Sequence, residues 1–340
     1  MTRSVQNESA DSADIVCHIY PVLEWCQTSA GDVAYLNSED APLLLGVRIE
    51  EPAKARGRDG TSPIHGSPVA SRLIAGRFHG PIAAFYRLAL LAHGIAGDPD
   101  LSAGSKSARI AALRSALEGR GEADPQDRSS DIPAAFSEPA RILRRLCEER
   151  AIPALHARLV LEACQLEAVK DRYRDWSELF SYLSFKAAPA ARFMLELHGE
   201  ARSGLAAAEA LCMASHMVHL LNNCREDYLE RGRVYLPQSW FTGANARARA
   251  LGEASAAPEL RAVFDQASAA IAGLLSTAGP VVRSIDNRGL RMEAALMLSR
   301  TERLAAKLAR RDPLRRPVTL SRPERLSAGL SGAIRGILGR

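Results

Sequence analysis

From Ser67 onward, the stretches of this chain that are long enough for three turns place their apolar residues three and four apart, with charge on the opposite side. PIAAFYRLALLAHGIA, beginning at Pro81, is apolar almost all round and predicts a helix at the centre of a bundle, with a leading proline that suits a first turn. SAGSKSARIAALRSALEG, SEPARILRRLCEERAI and IPALHARLVLEACQLEAVKDRY predict amphipathic helices with charged outer faces. The segment from Asp175 to Arg231 predicts three more, broken near Pro189 and Gly199. A polar loop after Pro237 leads to helices over Pro258 to Gly279 and Leu290 to Arg311. Pro313, Pro317 and Pro323 then interrupt the pattern before a last helix, ERLSAGLSGAIRGILGR. No period-two alternation persists and no repeat is visible, so the expected class is all-α, a single bundle-like domain over residues 61–340. Residues 1–60 differ: a short apolar piece, APLLLGVRI, precedes a charged, Gly-rich stretch, EEPAKARGRDGTSP. They are expected to form a partly disordered N-terminal extension.

Composition sharpens this picture. Hydrophobic residues make up 47% and aromatics 5%, with Ala and Leu dominant, which favours helices packed on helices over sheets. The formal net charge is +5, and the surplus is Arg-heavy towards the C-terminus. That balance permits an anionic partner, yet no nucleic-acid-binding pattern accompanies it, so nucleic acid is not expected. The six cysteines show no paired metal spacing and are expected as reduced, buried thiols. MTRSVQNESADSAD is too polar for a signal peptide, and no run of about 18 apolar residues exists. A cytoplasmic protein is expected, soluble or peripheral to the inner face of the membrane.

The string EALCMASHMVHLLNNCREDYLERGRVYLP, from Glu209 to Pro237, carries the chemistry. His216, His219, Asn223 and Asp227 follow one another by three, four and four residues, which puts them on one face of an apolar helix. Polar groups on a core-facing stripe are costly unless they are paired, ligated or line a cavity, so a functional cavity is expected here.

This string resembles the second aspartate-rich motif of the squalene/phytoene synthase family, and its RVYLP ending is similar to the hydroxysqualene synthase branch. SPVASRLIAGRFHGPIAAFYRLALLAHGIAGDPDL resembles the family's opening region and first aspartate-rich helix. YRDWSELFSYLSFKAAPAARFMLELHGE and LRMEAALMLSRTERLAAKLARRDPL resemble its middle and C-terminal segments. The resemblance implies an all-α isoprenoid synthase fold around a central cavity. In the family, aspartates on two facing helices hold Mg²⁺, which grips the diphosphate of presqualene or farnesyl diphosphate. Metal and arginine neutralise the charge that grows on the leaving diphosphate, and apolar walls shelter the carbocation from water. Asp227 and Tyr235 are the implied catalytic residues and Arg192 and Arg233 the implied diphosphate contacts, while Lys186, a departure from the family, is a further candidate for neutralising the diphosphate.

The departures from the family pattern fall together. The aspartates of the first motif fall on His93, Gly94 and Gly97, its nearby arginine on Leu90, and only Asp98 remains acidic. In the second motif Asn223 replaces one aspartate and Asp227 keeps the other. His216 and His219 stand for Gln and Asn, and Lys186 for a serine. Three readings follow. The fold persists without Mg²⁺ chemistry, as a partner of a companion squalene-pathway synthase or a prenyl-lipid binder. Alternatively, His93, His216, His219 and Asp227 converge into a rebuilt site suited to Zn²⁺ or Mn²⁺, with Asn223 as a further candidate ligand. In the third reading, Asp98 and Asp100 do the work, although their DPD string looks like a loop. A surface position is the commoner fate of a lysine such as Lys186, and ion pairing with Glu226 and Glu230 is the plain alternative for Arg231.

The last helix places Leu326, Leu330, Ile334, Ile337 and Leu338 on one stripe beside Arg325, Arg335 and Arg340. Covering the bundle's own core is the more frequent fate of such a stripe; contact with an anionic membrane is the other.

Overall fold

The computed structural model describes residues 73–120, 134–200 and 204–339. The extension expected over residues 1–60, and Cys17 and Cys26 within it, lie outside the described residues. Among the described residues there is no strand, only an isolated parallel bridge between Arg172 and Val234. The chain forms α1 (His79–Gly97), α2 (Ala103–Leu117), α3 (Glu138–Glu149), α4 (Leu155–Glu167) and α5 (Trp176–Leu197). There follow α6 (Leu205–Asn222), α7 (Cys224–Arg231), α8 (Gln238–Gly243), α9 (Pro258–Ala278), α10 (Arg288–Leu308) and α11 (Arg322–Leu338).

The helix starts are written locally. Ser102, Asp175 and Asn287 accept from backbone amides three residues on, at 3.1, 2.9 and 3.0 Å, and Ser321 forms a reciprocal capping box with Glu324. Gly232 ends α7 in the left-handed conformation, with φ 64°.

Two apolar cores meet across α5. Ala190, Phe193 and Leu197 pack with α1 to α4, while Leu183, Ala187, Ala191 and Leu195 pack with α6, α9 and α10. A helix apolar on two faces becomes a shared wall, which makes the alanines around Pro189 useful: they let neighbouring helices approach. Cys147, Cys164, Cys212 and Cys224 are buried free thiols inside these cores. No helix among the described residues is long and apolar enough to cross a membrane.

The last helix corrects the sequence expectation. It packs against α10 through Ala328, Gly332 and Gly336, and its large apolar residues face outward. A Cβ at Gly332 would stand 2.8 Å from Leu296 Cα, closer than real contacts allow. Gly332→Ala is therefore expected to destabilise the fold by about 1–3 kcal/mol, read as a lower denaturation midpoint. An unchanged midpoint would mean that α11 is not held in this close crossing.

Candidate functional site

A small polar cavity opens where α1, α4, α5, α6 and the α7 exit converge. The carboxylate at its base is Glu167, on the last residue of α4 and almost fully buried. Tyr182 donates its hydroxyl to Glu167 Oε1, Tyr235 does so at 3.3 Å, and Lys186 forms an ion pair with the same oxygen. His93 reaches the second oxygen at 3.9 Å. Rings of Tyr173, Tyr182 and Tyr235 pack with centroids 4.9 to 6.0 Å apart and hold the two hydroxyls in place.

Lys186 is fully buried, which overturns the expectation of a surface lysine. Burial drives its ammonium towards the neutral form, and Glu167 opposes this. Burial alone would raise the Glu167 carboxyl, but Lys186 at contact holds it well below the usual carboxylate range. His93 is lowered to about 4 by burial, and burial with the neighbouring His219 also keeps His216 well below its ordinary value. Both rings are neutral near pH 7.

The extended segment after α7 supplies the rest. Gly232 turns the chain, Val234 N–H donates to Asp171 O at 3.0 Å, and Gln238 N–H donates to Tyr173 O at 2.8 Å. These bonds fix Arg233 and Tyr235 against α4 and α1. Arg233 Nη2 donates to Ala96 O at 2.8 Å and to Glu167 O at 2.6 Å, tying the carbonyl ends of α1 and α4 together. Its Nη1 faces the Tyr235 hydroxyl at 3.4 Å. Burial pushes the Tyr235 hydroxyl up, so it stays protonated.

The polar stripe read along Glu209–Pro237 is bent by a helix break at Asn223, between α6 and α7. His216, His219 and Asp227 still line the cavity, because the Asp227 amide continues the ladder by donating to Asn223 O at 2.9 Å. Asn223 is outside the lining, and its side-chain amide lies 3.2 Å from a ring nitrogen of His219. Arg231 donates to Asp227 at 2.7 Å, so its partner is Asp227 and neither Glu226 nor Glu230. Burial raises the Asp227 carboxyl and Arg231 opposes the shift. Arg192, expected with the diphosphate contacts, is not brought there: its Nε donates to Glu209 at 2.6 Å, away from the lining. Asp98 and Asp100 sit beyond the end of α1, where Asp98 accepts from the Asp100 amide at 2.8 Å.

The residues present do not fit a metal cage. Among the described residues no three His, Cys, Asp or Glu side chains converge to hold an ion. A hard cation needs several oxygen ligands, and here Asp227 is engaged by Arg231 while His93 is turned to Glu167. Gly97 makes the substitution concrete, since a Cβ built there would lie 3.7 Å from Arg231 Nε. A guanidinium stands where the resemblance places a carboxylate.

Glu167 carried no weight in the sequence reading, yet its signal was present. It continues the series Val160, Ala163 and Cys164 on the buried face of α4, an acid where the helix pattern calls for an apolar residue.

A second, apolar cavity lies along the same helices. Tyr86 of α1, Ala190, Ala191 and Met194 of α5, and Leu211 and Cys212 of α6 line it, closed by Val281, Ile285 and Met297. Lys186 stands one turn from Ala190 and His216 one turn from Cys212, so α5 and α6 each run from the polar cavity to the apolar one.

Comparison with known proteins agrees with this arrangement. The family model for squalene/phytoene synthase matches residues 65–324. The chain belongs to the squalene/phytoene synthase family. A hydroxysqualene synthase of Rhodopseudomonas palustris is 33% identical over 253 residues, covering 74% of this chain and 82% of the relative. One of Sinorhizobium fredii is 31% identical over 263 residues, covering 77% and 86%. Among solved structures, a squalene synthase of Alicyclobacillus acidocaldarius superposes with TM-score 0.59 at 17% identity, over 71% of this chain and 86% of the other. A dehydrosqualene synthase in complex with ligand gives 0.62 at 14% identity, over 92% and 98%. Family membership places the chain in isoprenoid biosynthesis, and these two likenesses establish the isoprenoid synthase fold.

Proposed function

We propose that this chain is a hydroxysqualene-synthase-like protein that takes up a prenyl diphosphate, presqualene or farnesyl diphosphate, and holds the diphosphate with its own cations. The observation that carries the reading is a polar cavity and an apolar one lined by the same three helices, α1, α5 and α6. An amphiphile with an anionic head and a long hydrocarbon tail matches that polarity. Lys186, Arg231 and Arg233 outnumber Glu167 and Asp227 around the head cavity, so the lining carries a positive excess before any ligand enters.

In the hydroxysqualene-forming reaction, the bond between carbon and the diphosphate oxygen breaks and its electron pair leaves with the diphosphate. Water adds to the rearranged carbocation and its extra proton goes to solvent. This chain would assist the first step through Lys186 and Arg231, which offset the charge growing on the leaving group. Tyr235, kept protonated, supplies a hydroxyl beside them, and Asp227 orients Arg231. The apolar cavity limits water access to the cation.

A second reading, a non-catalytic partner of an intact synthase, is favoured by the glycines at 94 and 97 and by the engagement of Asp227 with Arg231. Product analysis with presqualene diphosphate separates the two. Hydroxysqualene above the no-protein background is the expected result. A folded protein that binds the substrate and returns it unchanged would move the assignment to the partner role.

A further inference from the structure

We propose that the outward face of α11 docks on an anionic lipid surface. This helix is mounted with its small residues inward. Ala328, Gly332 and Gly336 meet α10, leaving Leu326, Leu330, Ile334, Ile337 and Leu338 exposed at 76%, 64%, 47%, 60% and 71%. Residues spaced by four and three stay on one side of a helix, so these five form a continuous ridge along a 17-residue element of about 25 Å. The large apolar residues of a surface helix usually form its buried face. Here the pattern is reversed, and the reversal is built in by the close crossing at Gly332.

Charge decides the occupant. Residues 309–340 hold eight arginines against Asp312 and Glu324, while the whole chain carries a net charge of only +5. The rest of the chain is thus close to neutral, and the surplus sits at this end. Arg310, Arg311, Arg315, Arg316 and Arg322 are exposed around the entry to α11, and Arg322 stands one turn before Leu326 on the same line. The nearby acids are already engaged: Glu324 pairs with Lys307 at 2.6 Å, and Glu302 with Arg335 at 2.6 Å. Asp312 accepts from the amides of Ala256 and Leu314 at 2.8 and 3.0 Å. A second copy of the chain meeting this face would bring two arginine clusters together, whereas an anionic bilayer neutralises one cluster and takes up the ridge at its acyl boundary.

The test is flotation of the full-length protein with vesicles of phosphatidylglycerol and phosphatidylcholine, beside vesicles of phosphatidylcholine alone. Binding to the mixed vesicles is expected, falling steeply as salt rises and weak on the zwitterionic ones. Leu330→Glu with Ile334→Glu is expected to lower partitioning at least about tenfold with an unchanged melting temperature, because both side chains are exposed. Arg315→Glu with Arg316→Glu is expected to lower it on the mixed vesicles only. Absence of binding by the full chain, or binding that the Leu330 and Ile334 changes leave intact, would overturn the proposal. So would a concentration-dependent dimer that those changes abolish, since a second copy would then be the occupant. None of these outcomes depends on whether the cavity turns over a prenyl diphosphate.

Discussion

Lys186→Met is expected to destabilise the protein by about 3–5 kcal/mol, since it leaves the Glu167 carboxylate buried without its cation. The loss would be read from urea denaturation near neutral pH. Changing both partners, Lys186→Met with Glu167→Gln, is expected to recover most of that loss. A buried pair replaced by neutral groups no longer has a charge to desolvate, and the Tyr182 and Tyr235 hydroxyls can still donate to the glutamine carbonyl. If the single change were as stable as the parent, the ion pair would not be a feature of the folded protein. The same pair sets a pH dependence. The Glu167 carboxyl titrates lower in the folded chain than in the unfolded one, so its contribution to stability is present above the ordinary carboxylate value. It is lost as pH falls through that value towards the lower folded one. A denaturation midpoint that falls below about pH 4.5 in the parent, and less so in the double variant, would show the linkage.

The second large effect concerns metal. Binding of farnesyl diphosphate, followed by calorimetry, is expected to be the same in a chelator as in Mg²⁺, because the proposed function assigns the charge that a metal would supply to Lys186 and Arg231. Arg231→Ala is expected to weaken that binding by at least about tenfold, the scale of one charge-assisted hydrogen bond. A conservative Arg231→Lys should recover part of the affinity, since charge persists and the bidentate fork does not. Binding that appears only with Mg²⁺ would sink the reading and point to a cage assembled when substrate enters. A folded Arg231→Ala protein with parental affinity would instead show that Arg231 serves Asp227 alone.

How far the chain could be read differs between its elements. Most of the helix pattern, the caps at Ser102, Asp175 and Asn287, and the stop at Gly232 follow from local rules that operate within a few residues, but the break expected near Pro189 does not occur, since α5 runs through it. The cavity was legible through His216, His219 and Asp227 because helical spacing fixes which side chains share a face, even across the bend at Asn223. The family followed from motifs in order along the chain, and residues 65–324 match it. For Arg192 the motif match says nothing of Glu209, which lies 17 residues on and holds it at 2.6 Å.

The sequence by itself therefore determined the all-α class and the family, both matters of residue type, short-range spacing and motif order. Only the tertiary structure decided that Lys186 is buried against Glu167 and that Arg231 fills the space beside Gly97. It alone decided that the ridge of α11 faces outward. The reason is physical. Spacing within a helix fixes which residues share a face, but the partner of that face is set by packing between elements distant in sequence. Periodicity cannot show whether glycines or leucines will win the inner side.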